Sequence, residues 1–233
     1  MKIAIMQPYF LPYLGYFQLI SSVDHFVLYD DAQFIKNGWI ERNRYLLNGQ
    51  AKWFGVPLAK GRHSDRICQR RISSSFAKDD VMNKIAFAYR KAPNRTPVLD
   101  LLDEMLSFPD LNVARFNGWI LQRLCNFLEI NSRFSWSSDL RLEGDYRGEA
   151  RVIAMVKAFG GTSYINPIGG AHLYNKQAFL KQGVKLKFLS PRLMAYSQFI
   201  GDFVPALSII DVLMFNSMGQ VSEWVRRPFI ELL

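Results

Sequence analysis

The sequence predicts an α/β fold, in which a mainly parallel sheet is enclosed by helices. Short apolar runs at 3–6 and 26–29 predict two buried strands, and apolar residues at helical spacing between them complete a β-α-β unit. Patterns typical of strands and helices continue to alternate beyond this unit. Each of the two strands ends abruptly in polar or turn residues, at the edge where open α/β sheets bind ligands.

The spacing of apolar residues predicts the elements of the N-terminal half. In chain order they are a strand over 3–6, a helix over 12–22, a strand over 26–29, a loop over 32–50 and a strand over 53–58. From about 79 onward the pattern becomes helical, with Asp79-Asp80 as an expected N-cap and Pro93 and Pro97 as breaks. The most regular helix is predicted over 113–128.

The C-terminal half is predicted to return to alternating strands and helices. In chain order it contains a short strand at 134–136, a helix over 152–159, a strand over 163–165, a helix beginning near His172, a strand over 184–189 and an apolar helix over 207–215. The chain of 233 residues is therefore interpreted as one α/β domain over 1–233, with a mainly helical insertion at about 79–130.

Composition and charge narrow the classes of function. The net charge of +9 and the pI near 9.6 favour an anionic partner. We expect no nucleic-acid partner, because none of the usual binding motifs is present. No run of 18 or more uncharged apolar residues predicts a membrane span. The N-terminal apolar run is too short for a signal peptide, and a cytoplasmic location is expected.

The cysteines and histidines do not predict a metal site. Cys68 and Cys125 are far apart and lack the spacing of metal ligands, and Cys125 falls in a helical apolar pattern typical of a buried, inert thiol. The three histidines are isolated from one another. Few cysteines and no predicted disulfide fit a reducing compartment.

The segment after the first strand is the first candidate site. Five aromatic residues fall within nine positions here, and Gly15 allows close approach to the backbone at the start of the helix. Free N–H groups at a helix start favour phosphate or carboxylate. We predict substrate-binding roles for Gln7, Tyr9 and Gly15, whereas Phe10, Tyr16 and Phe17 are interpreted as rings packed into the core.

The end of the second strand is the next candidate site. Asp30 and Asp31 could bind a magnesium ion, a ribose or an amine, and either could act as a catalytic carboxylate. A simple turn-forming pair is the alternative. Side chains suited to binding an anion or a ring follow closely: Lys36, Trp39, Asn43 and Arg44. For Arg44, a surface ion pair with Glu41 is the alternative.

Two later segments offer further polar groups. In the stretch 164–174, Asn166 offers a donor and an acceptor, and Gly169-Gly170 allow a ligand to meet the backbone, with Tyr174 beside them. His172 in the same stretch is the natural acid–base candidate, although a solvent-exposed histidine fits as well.

On the last apolar helix, Ser208 and Asp211 share a face. A carboxylate on a buried helix needs a partner. That partner is either a cationic or hydroxyl group of a ligand in the pocket, or an internal arginine such as Arg44 or Arg151.

Taken together, these blocks resemble the WbqC-like family over most of the chain. The residues that carry the resemblance are Met6-Gln7-Pro8-Tyr9, Pro12-Tyr13, Gly15-Tyr16-Phe17, Asp24, Tyr29-Asp30-Asp31, Lys36, Trp39, Asn43-Arg44, Tyr164 to Gly170, Leu173-Tyr174, Tyr196, Gln198 and Pro205 to Leu213. The resemblance adds Gln198 to the expected substrate-binding residues. It implies a role in the biosynthesis of bacterial O-antigen and other surface polysaccharides, as a glycine (aminoacyl) or acyl transferase acting on amino sugars. His172 cannot be tied to the family pattern.

A second resemblance suggests a mechanism. A strand, a proline-containing turn, a glycine and a helix are similar to the opening of the HxGH-type nucleotidyltransferases and pantothenate synthetase. This resemblance implies a Rossmann-like (HUP-type) parallel sheet core and ATP-dependent chemistry that activates a carboxylate as its adenylate. The sequence departs from that pattern, since Gln7 and Tyr13 stand near where the HxGH histidines would be.

Three hypotheses follow. The first is a transferase that forms an amide on a nucleotide-linked amino sugar from a small acyl or aminoacyl donor. Arg44 and Lys36 would hold phosphate or carboxylate, and Asp30, Asp31 or His172 would accept the amine proton. The second is an ATP-dependent nucleotidyl or adenylate-forming enzyme, for which ATP and magnesium would be the cofactors. The third is a non-catalytic sugar-nucleotide-binding module. The sequence determines neither a cofactor nor the oligomeric state.

Overall fold

A computed structural model of the protein describes residues 1–199 and 201–227 in full, together with the backbone of 229–231. Its strands, in chain order, are β1 (Lys2–Met6), β2 (His25–Leu28), β3 (Arg42–Leu47), β4 (Gln50–Gly55), β5 (Arg133–Trp136), β6 (Ser163–Pro167), β7 (Lys185–Ser190) and β8 (Phe229–Glu231). Its α-helices are α1 (Leu14–Ser21), α2 (Lys78–Ala88), α3 (Arg95–Leu106), α4 (Val113–Phe127), α5 (Gly148–Ala158), α6 (Lys176–Lys181), α7 (Ile209–Phe215) and α8 (Met218–Val225).

The central sheet is six-stranded, with the strand order β5-β2-β1-β6-β7-β8. Its first five strands are parallel to one another, and β8 pairs antiparallel with β7 at the edge. From β1 the chain first winds outward through β2 and β5, and then crosses back to β6 and β7 on the other side. This five-stranded parallel sheet with surrounding helices confirms the predicted α/β, Rossmann-like core.

The central sheet is buried on both faces. Side chains of successive strand residues point to opposite sides of the sheet, so each strand contributes to an apolar cluster on either face. On β2, Phe26 and Leu28 belong to one apolar cluster, whereas Val27 belongs to the other. The first cluster contains the apolar sides of α1, α4 and α7, and the second contains those of α5 and α6. Helices therefore cover the sheet in a three-layer arrangement.

The segment predicted as a loop over 32–50 contains a strand, so that prediction is wrong for 42–47. There β3 pairs antiparallel with β4, which begins at Gln50 rather than at 53. The turn between them, Asn48-Gly49, has φ values of 51° and 74°, as a two-residue hairpin turn requires. The first three residues of β3 are polar, so the sequence lacks the apolar spacing of a buried strand there. Part of this strand lines a cavity, which accounts for its polar residues.

Helix boundaries also differ in detail. The N-terminal cap of α2 is Ala77, and Asp79 and Asp80 lie in the first turn instead of capping it. Pro97 lies inside the first turn of α3, where a proline without an N–H is tolerated. The helix predicted from His172 begins at Lys176 and follows a 3₁₀ turn over Ile168–Leu173. The sequence did not predict α8.

Three helices, α2 to α4, occupy the chain between β4 and β5, where a helical insertion is predicted. Their apolar residues join the same cluster as α1 and the first face of the sheet. Within the described residues, no helix could span a bilayer, and the longest, α4, has 15 residues.

Candidate functional site

A cavity of about 750 Å³ lies at the carboxyl ends of β1 and β6, the two neighbouring strands between which the order of the sheet reverses. Gln7 and Tyr9 line it from the segment after β1, and Asn166 and Pro167 line it from the end of β6. Open α/β sheets bind ligands at this topological switch point. The volume falls in the range of small-molecule and cofactor sites.

Aromatic rings form much of the cavity wall. Those that line it are Tyr9, Tyr13, Tyr16, Tyr29, Trp39 and Tyr174. The hydroxyl of Tyr16 donates a hydrogen bond of 2.6 Å to the carbonyl of Gln7, which ties α1 to the turn after β1. Burial raises the pKa of Tyr9 and of Tyr13 above the usual phenol value, so both hydroxyls remain protonated at neutral pH and can donate.

Asn43 holds the turn that carries the aromatic residues. Its Nδ2 donates to the carbonyl oxygens of Phe10 and Leu11, at 3.0 and 2.8 Å. Its Oδ1 accepts from the backbone N–H of Arg44 at 2.7 Å. The side chain of Asn43 is buried, and it therefore fixes the position of β3 relative to the turn after β1.

Arg44 is the one charged residue among the described residues that line the cavity. Its Nη2 donates to the carbonyl of Ala206 at 3.1 Å, and its guanidinium carbon lies 5.7 Å from the centroid of the Trp39 ring. Its Nε is buried and has no hydrogen-bond partner among the described residues. A half-buried guanidinium whose buried Nε is an unused donor favours an anionic ligand in the cavity.

The end of β6 supplies a fixed amide. The hydroxyl of Tyr164 donates to Oδ1 of Asn166 at 3.0 Å, and Nδ2 of Asn166 donates to the carbonyl of Pro167 at 3.0 Å. A Cβ at Gly170 would lie 2.5 Å from that Nδ2, so glycine is needed for this approach. Tyr174 packs edge-on against Tyr164 and completes the wall.

Asp30 does not line the cavity. Its buried carboxylate accepts from the hydroxyl of Ser137 at 3.1 Å, and from the N–H and hydroxyl of Ser138 at 2.9 and 2.7 Å. The carboxylate therefore joins the end of β2 to the turn after β5.

Asp31 also lies outside the cavity wall, but it connects to the wall indirectly. Its carboxylate forms an ion pair with Arg151 and accepts from Ser137 at 2.5 Å. Arg151 also neighbours the hydroxyl of Tyr29, which lines the cavity. Burial raises the pKa of Tyr29, and Arg151 partly offsets that rise.

The remaining predicted site residues lie elsewhere. Lys36 and His172 are exposed and do not line the cavity. Ser208 caps the N-terminus of α7, and its hydroxyl donates to the carbonyl of Leu11. Asp211 is fully buried and accepts from Gln198 at 2.6 Å and from two tyrosine hydroxyls. Its partners are therefore neutral donors, and neither of the two arginines considered from the sequence pairs with it.

The cavity thus brings together ten of the predicted site residues. They are Gln7, Tyr9, Gly15, Trp39, Asn43, Arg44, Asn166, Gly169, Gly170 and Tyr174. Comparison with known proteins adds an identification: the profile of the WbqC-like protein family matches residues 7–223. The chain belongs to the WbqC-like protein family. The matched range includes every residue of this set.

A relative of this WbqC-like protein is the uncharacterized protein Rv1507c of Mycobacterium tuberculosis (strain ATCC 25618 / H37Rv). The two are 28% identical over 228 residues, which cover 97% of each chain. No solved structure gives a significant match.

Several cavity residues of this WbqC-like protein were not predicted as site residues. They are Tyr13, Tyr29, Ile35, Leu173, Pro191, Leu193 and Ala206, among others. Tyr29 and Pro191 follow directly after β2 and β7, so the rule that selected Gln7 applies to them as well. Ala206 belongs to an irregular segment whose position no local pattern indicates.

The chemistry of the cavity follows from its side chains. Its described lining residues supply amides, phenols, an indole and one guanidinium, and include no carboxylate, imidazole or thiol. Nowhere in the described part of the chain do three or more His, Cys, Asp or Glu side chains gather as metal ligands would. The cavity is built to hold rings and an anion, and to donate hydrogen bonds.

Proposed function

We propose that this WbqC-like protein is an acyl or aminoacyl transferase of surface-polysaccharide biosynthesis. It forms an amide on an amino sugar that is carried by a nucleotide. The observation that carries the proposal is the aromatic cavity of about 750 Å³ at the switch point of the sheet, with Arg44 as its one charged described lining residue. A nucleotide sugar combines rings, hydroxyl groups and a diphosphate, and each has a counterpart in this wall.

The diphosphate is assigned to Arg44. A guanidinium can bind two phosphate oxygens at once, and the Nε of Arg44 is a buried donor without a partner. The net charge of +9 attracts the same anion over longer distances. In this proposal Gln7, Tyr9 and Asn166 orient the sugar by donating or accepting hydrogen bonds.

The transfer step joins the sugar amine to the acyl carbon. The C–N bond forms, the bond from the acyl carbon to its leaving group breaks, and the amine gives up a proton. The described cavity wall offers no carboxylate or imidazole that could accept this proton. The step therefore balances with an activated acyl donor, because the departing leaving group takes up the proton. Asp31 acts as a positioning residue, since it holds Arg151 beside the wall residue Tyr29.

A non-catalytic sugar-nucleotide-binding module is the second candidate function. The same shortage of proton acceptors in the described wall favours it. It requires the ligand pocket proposed above but no donor site. The two candidates therefore agree on binding and differ only in turnover.

The first experiment measures thermal melting with UDP-, dTDP- and GDP-linked amino sugars, and with ATP and magnesium. A ligand that binds only the native state raises the melting midpoint. We expect an amino-sugar nucleotide to raise it, and the Arg44→Ala variant to bind that ligand about ten- to a hundredfold more weakly, since a charge-assisted hydrogen bond is lost. Arg147→Ala, which removes an exposed charge outside the cavity, is the matched control.

Two results would contradict the proposal. One is the absence of any shift with the sugar nucleotides, and the other is equal binding by Arg44→Ala and wild type. A shift with ATP and magnesium alone would favour the adenylate-forming hypothesis instead. Mass spectrometry of the bound sugar after addition of acyl and aminoacyl thioesters then separates the transferase, which adds the acyl mass, from the binding module, which does not.

A further inference from the structure

Large apolar side chains are exposed around the mouth of the cavity. Ile35 and Leu173 are 64% and 60% exposed, and Trp53 and Trp39 are 48% and 38% exposed. Such residues normally cost free energy in contact with water. We call these four residues the rim.

The rim residues belong to one cavity and the tryptophan pair at its edge. Ile35, Trp39 and Leu173 line the same cavity, although they come from the loop after β2 and the 3₁₀ turn after β6. Trp53, on β4, packs on Trp39 with ring centroids 5.4 Å apart. Exposed apolar side chains clustered around one cavity are typical of an interaction site.

Basic side chains lie beside Ile35 and the two tryptophans of the rim. Arg42 lies over the Trp53 ring at 4.2 Å, Arg44 lies near Trp39 at 5.7 Å, and the exposed Lys36 follows Ile35. The one acidic group within this stretch, Glu41, accepts a hydrogen bond from the backbone N–H of Asn37. The stretch 35–44 thus carries three cations and one anion.

We propose that the rim binds the surface of an anionic lipid bilayer, with the mouth of the cavity facing the headgroups. Tryptophan prefers the headgroup level of a membrane, and basic residues beside apolar ones bind anionic lipid. The overall charge of +9 has the matching sign. A bilayer contact of this kind needs no membrane-spanning helix. The proposal is independent of the proposed function, because vesicle binding requires neither a sugar nucleotide nor turnover.

The test is flotation of the full chain with vesicles of phosphatidylcholine, with and without phosphatidylglycerol. Wild type is expected to float with the anionic vesicles and to be released by high salt, which screens the basic residues. The variant Ile35→Ser/Trp53→Ser/Leu173→Ser is expected to bind about tenfold or more weakly, since it removes three exposed apolar groups that the proposed contact with the bilayer buries. Phe87→Ser/Leu180→Ser is the matched control, because Phe87 and Leu180 are 62% and 63% exposed and lie outside the cavity.

A single charge substitution on the surface distinguishes a loss of membrane binding from a loss of folding. Lys36 is exposed, so Lys36→Glu is expected to fold and to lose affinity for the anionic vesicles alone. The proposal is overturned if wild type does not bind the anionic vesicles, or if the control variant weakens binding as much as the rim variant does. It is also overturned if the wild-type chain self-associates through the rim, with the rim variant monomeric and neither protein floating with vesicles.

Discussion

Burial keeps both thiols of the chain protonated. Cys125 is 1% exposed on α4, and burial raises the pKa of its thiol well above the usual range. Cys68 is half-buried, and its pKa is raised by burial and then by the nearby carboxylates of Asp30 and Asp31. Because the thiolate is the reactive form, neither residue has the properties of a catalytic nucleophile.

This predicts a specific pattern of thiol labelling. In the native protein at neutral pH, an aromatic disulfide reagent should modify Cys68 about tenfold or more slowly than a free thiol, and should not modify Cys125. Absorbance of the released thiol measures both rates, and unfolding in urea should make both residues react fully. The Cys68→Ser variant is the control, and rapid labelling of that variant in the native state would contradict the prediction.

At the scale of single elements, the start of α1 depends on close packing at Gly15. A Cβ at this position would lie 2.5 Å from the Tyr13 ring and 2.6 Å from Cβ of Pro191. Both neighbours line the cavity. The glycine therefore lets the segment after β7 close against the first turn of the helix.

The Gly15→Ala variant should accordingly lose stability by about 1–3 kcal/mol, because overpacking forces its neighbours apart. Gly219→Ala is the matched control: Gly219 lies in the first turn of α8, has nothing within 4 Å of its would-be Cβ, and should gain up to about 1 kcal/mol from helix propensity. Urea unfolding measures both changes. Equal effects of the two substitutions would rule out the packing argument.

The ends of β2 and β5 are held together by Asp30, whose carboxylate binds the hydroxyls of Ser137 and Ser138 and one N–H. Asp30→Ala removes the acceptor of the Ser138 N–H and hydroxyl, whereas the Ser137 hydroxyl keeps Asp31 as a partner, and the variant should lower the free energy of unfolding by about 1–3 kcal/mol. Asp139→Ala, which removes an exposed carboxylate from the same turn, should change it by less than about 0.5 kcal/mol. Urea unfolding again reports both values, and an unchanged midpoint for Asp30→Ala would refute this role.

At the scale of the whole molecule, Asp211 connects segments that are far apart in the sequence. Its carboxylate accepts from Tyr89 at the end of α2 and from Tyr196 and Gln198 in the segment after β7. The hydroxyl of Tyr89 in turn accepts from the N–H of Leu46 on β3. One buried group thus joins the helical segment, the cavity-lining hairpin and the C-terminal segment.

Burial raises the pKa of Asp211, and three hydrogen bonds offset this only in part. The folded chain therefore retains the proton at pH values where the unfolded carboxyl, with an ordinary pKa of about 3.9, has already lost it. Stability from this group is present at low pH and declines as the pH rises through the folded pKa. The stability that Asp211 contributes is therefore lost in the pH range just above the ordinary pKa of an aspartate.

Accordingly, the stability advantage of wild type over Asp211→Asn should be larger near pH 4 than near pH 7, since the amide has no proton to lose. Urea unfolding of both proteins across this range measures the difference. Asp202→Asn, which changes an exposed carboxylate, should show no such trend. An advantage that stays constant or grows with pH would disprove the assignment.

Much of the fold was predictable because its signals are local. Buried strands at 3–6 and 26–29 and the helix over 113–128 were correctly located from apolar spacing, which burial on a sheet or helix face imposes directly. The strand β3 was not, since the buried position between Arg42 and Arg44 holds the polar Asn43, where the alternation expects an apolar residue. Asn43 and Arg44 line the cavity, and the apolar spacing of one strand carries no information about such a contact.

The sequence by itself determined the family, the α/β class and the polar residues at the strand ends, because each follows from residue order and local periodicity. Only the tertiary structure decided which of those residues share a cavity. Gln7 and Tyr29, which directly follow β1 and β2, line the cavity, whereas Asp30 and Asp31 come next after Tyr29 and their carboxylates bind serines and Arg151. The physical reason is the order of the strands: β1 and β6 meet where the sheet reverses, whereas β5 lies on the other side of β2 and the turn after it supplies the donors that hold Asp30.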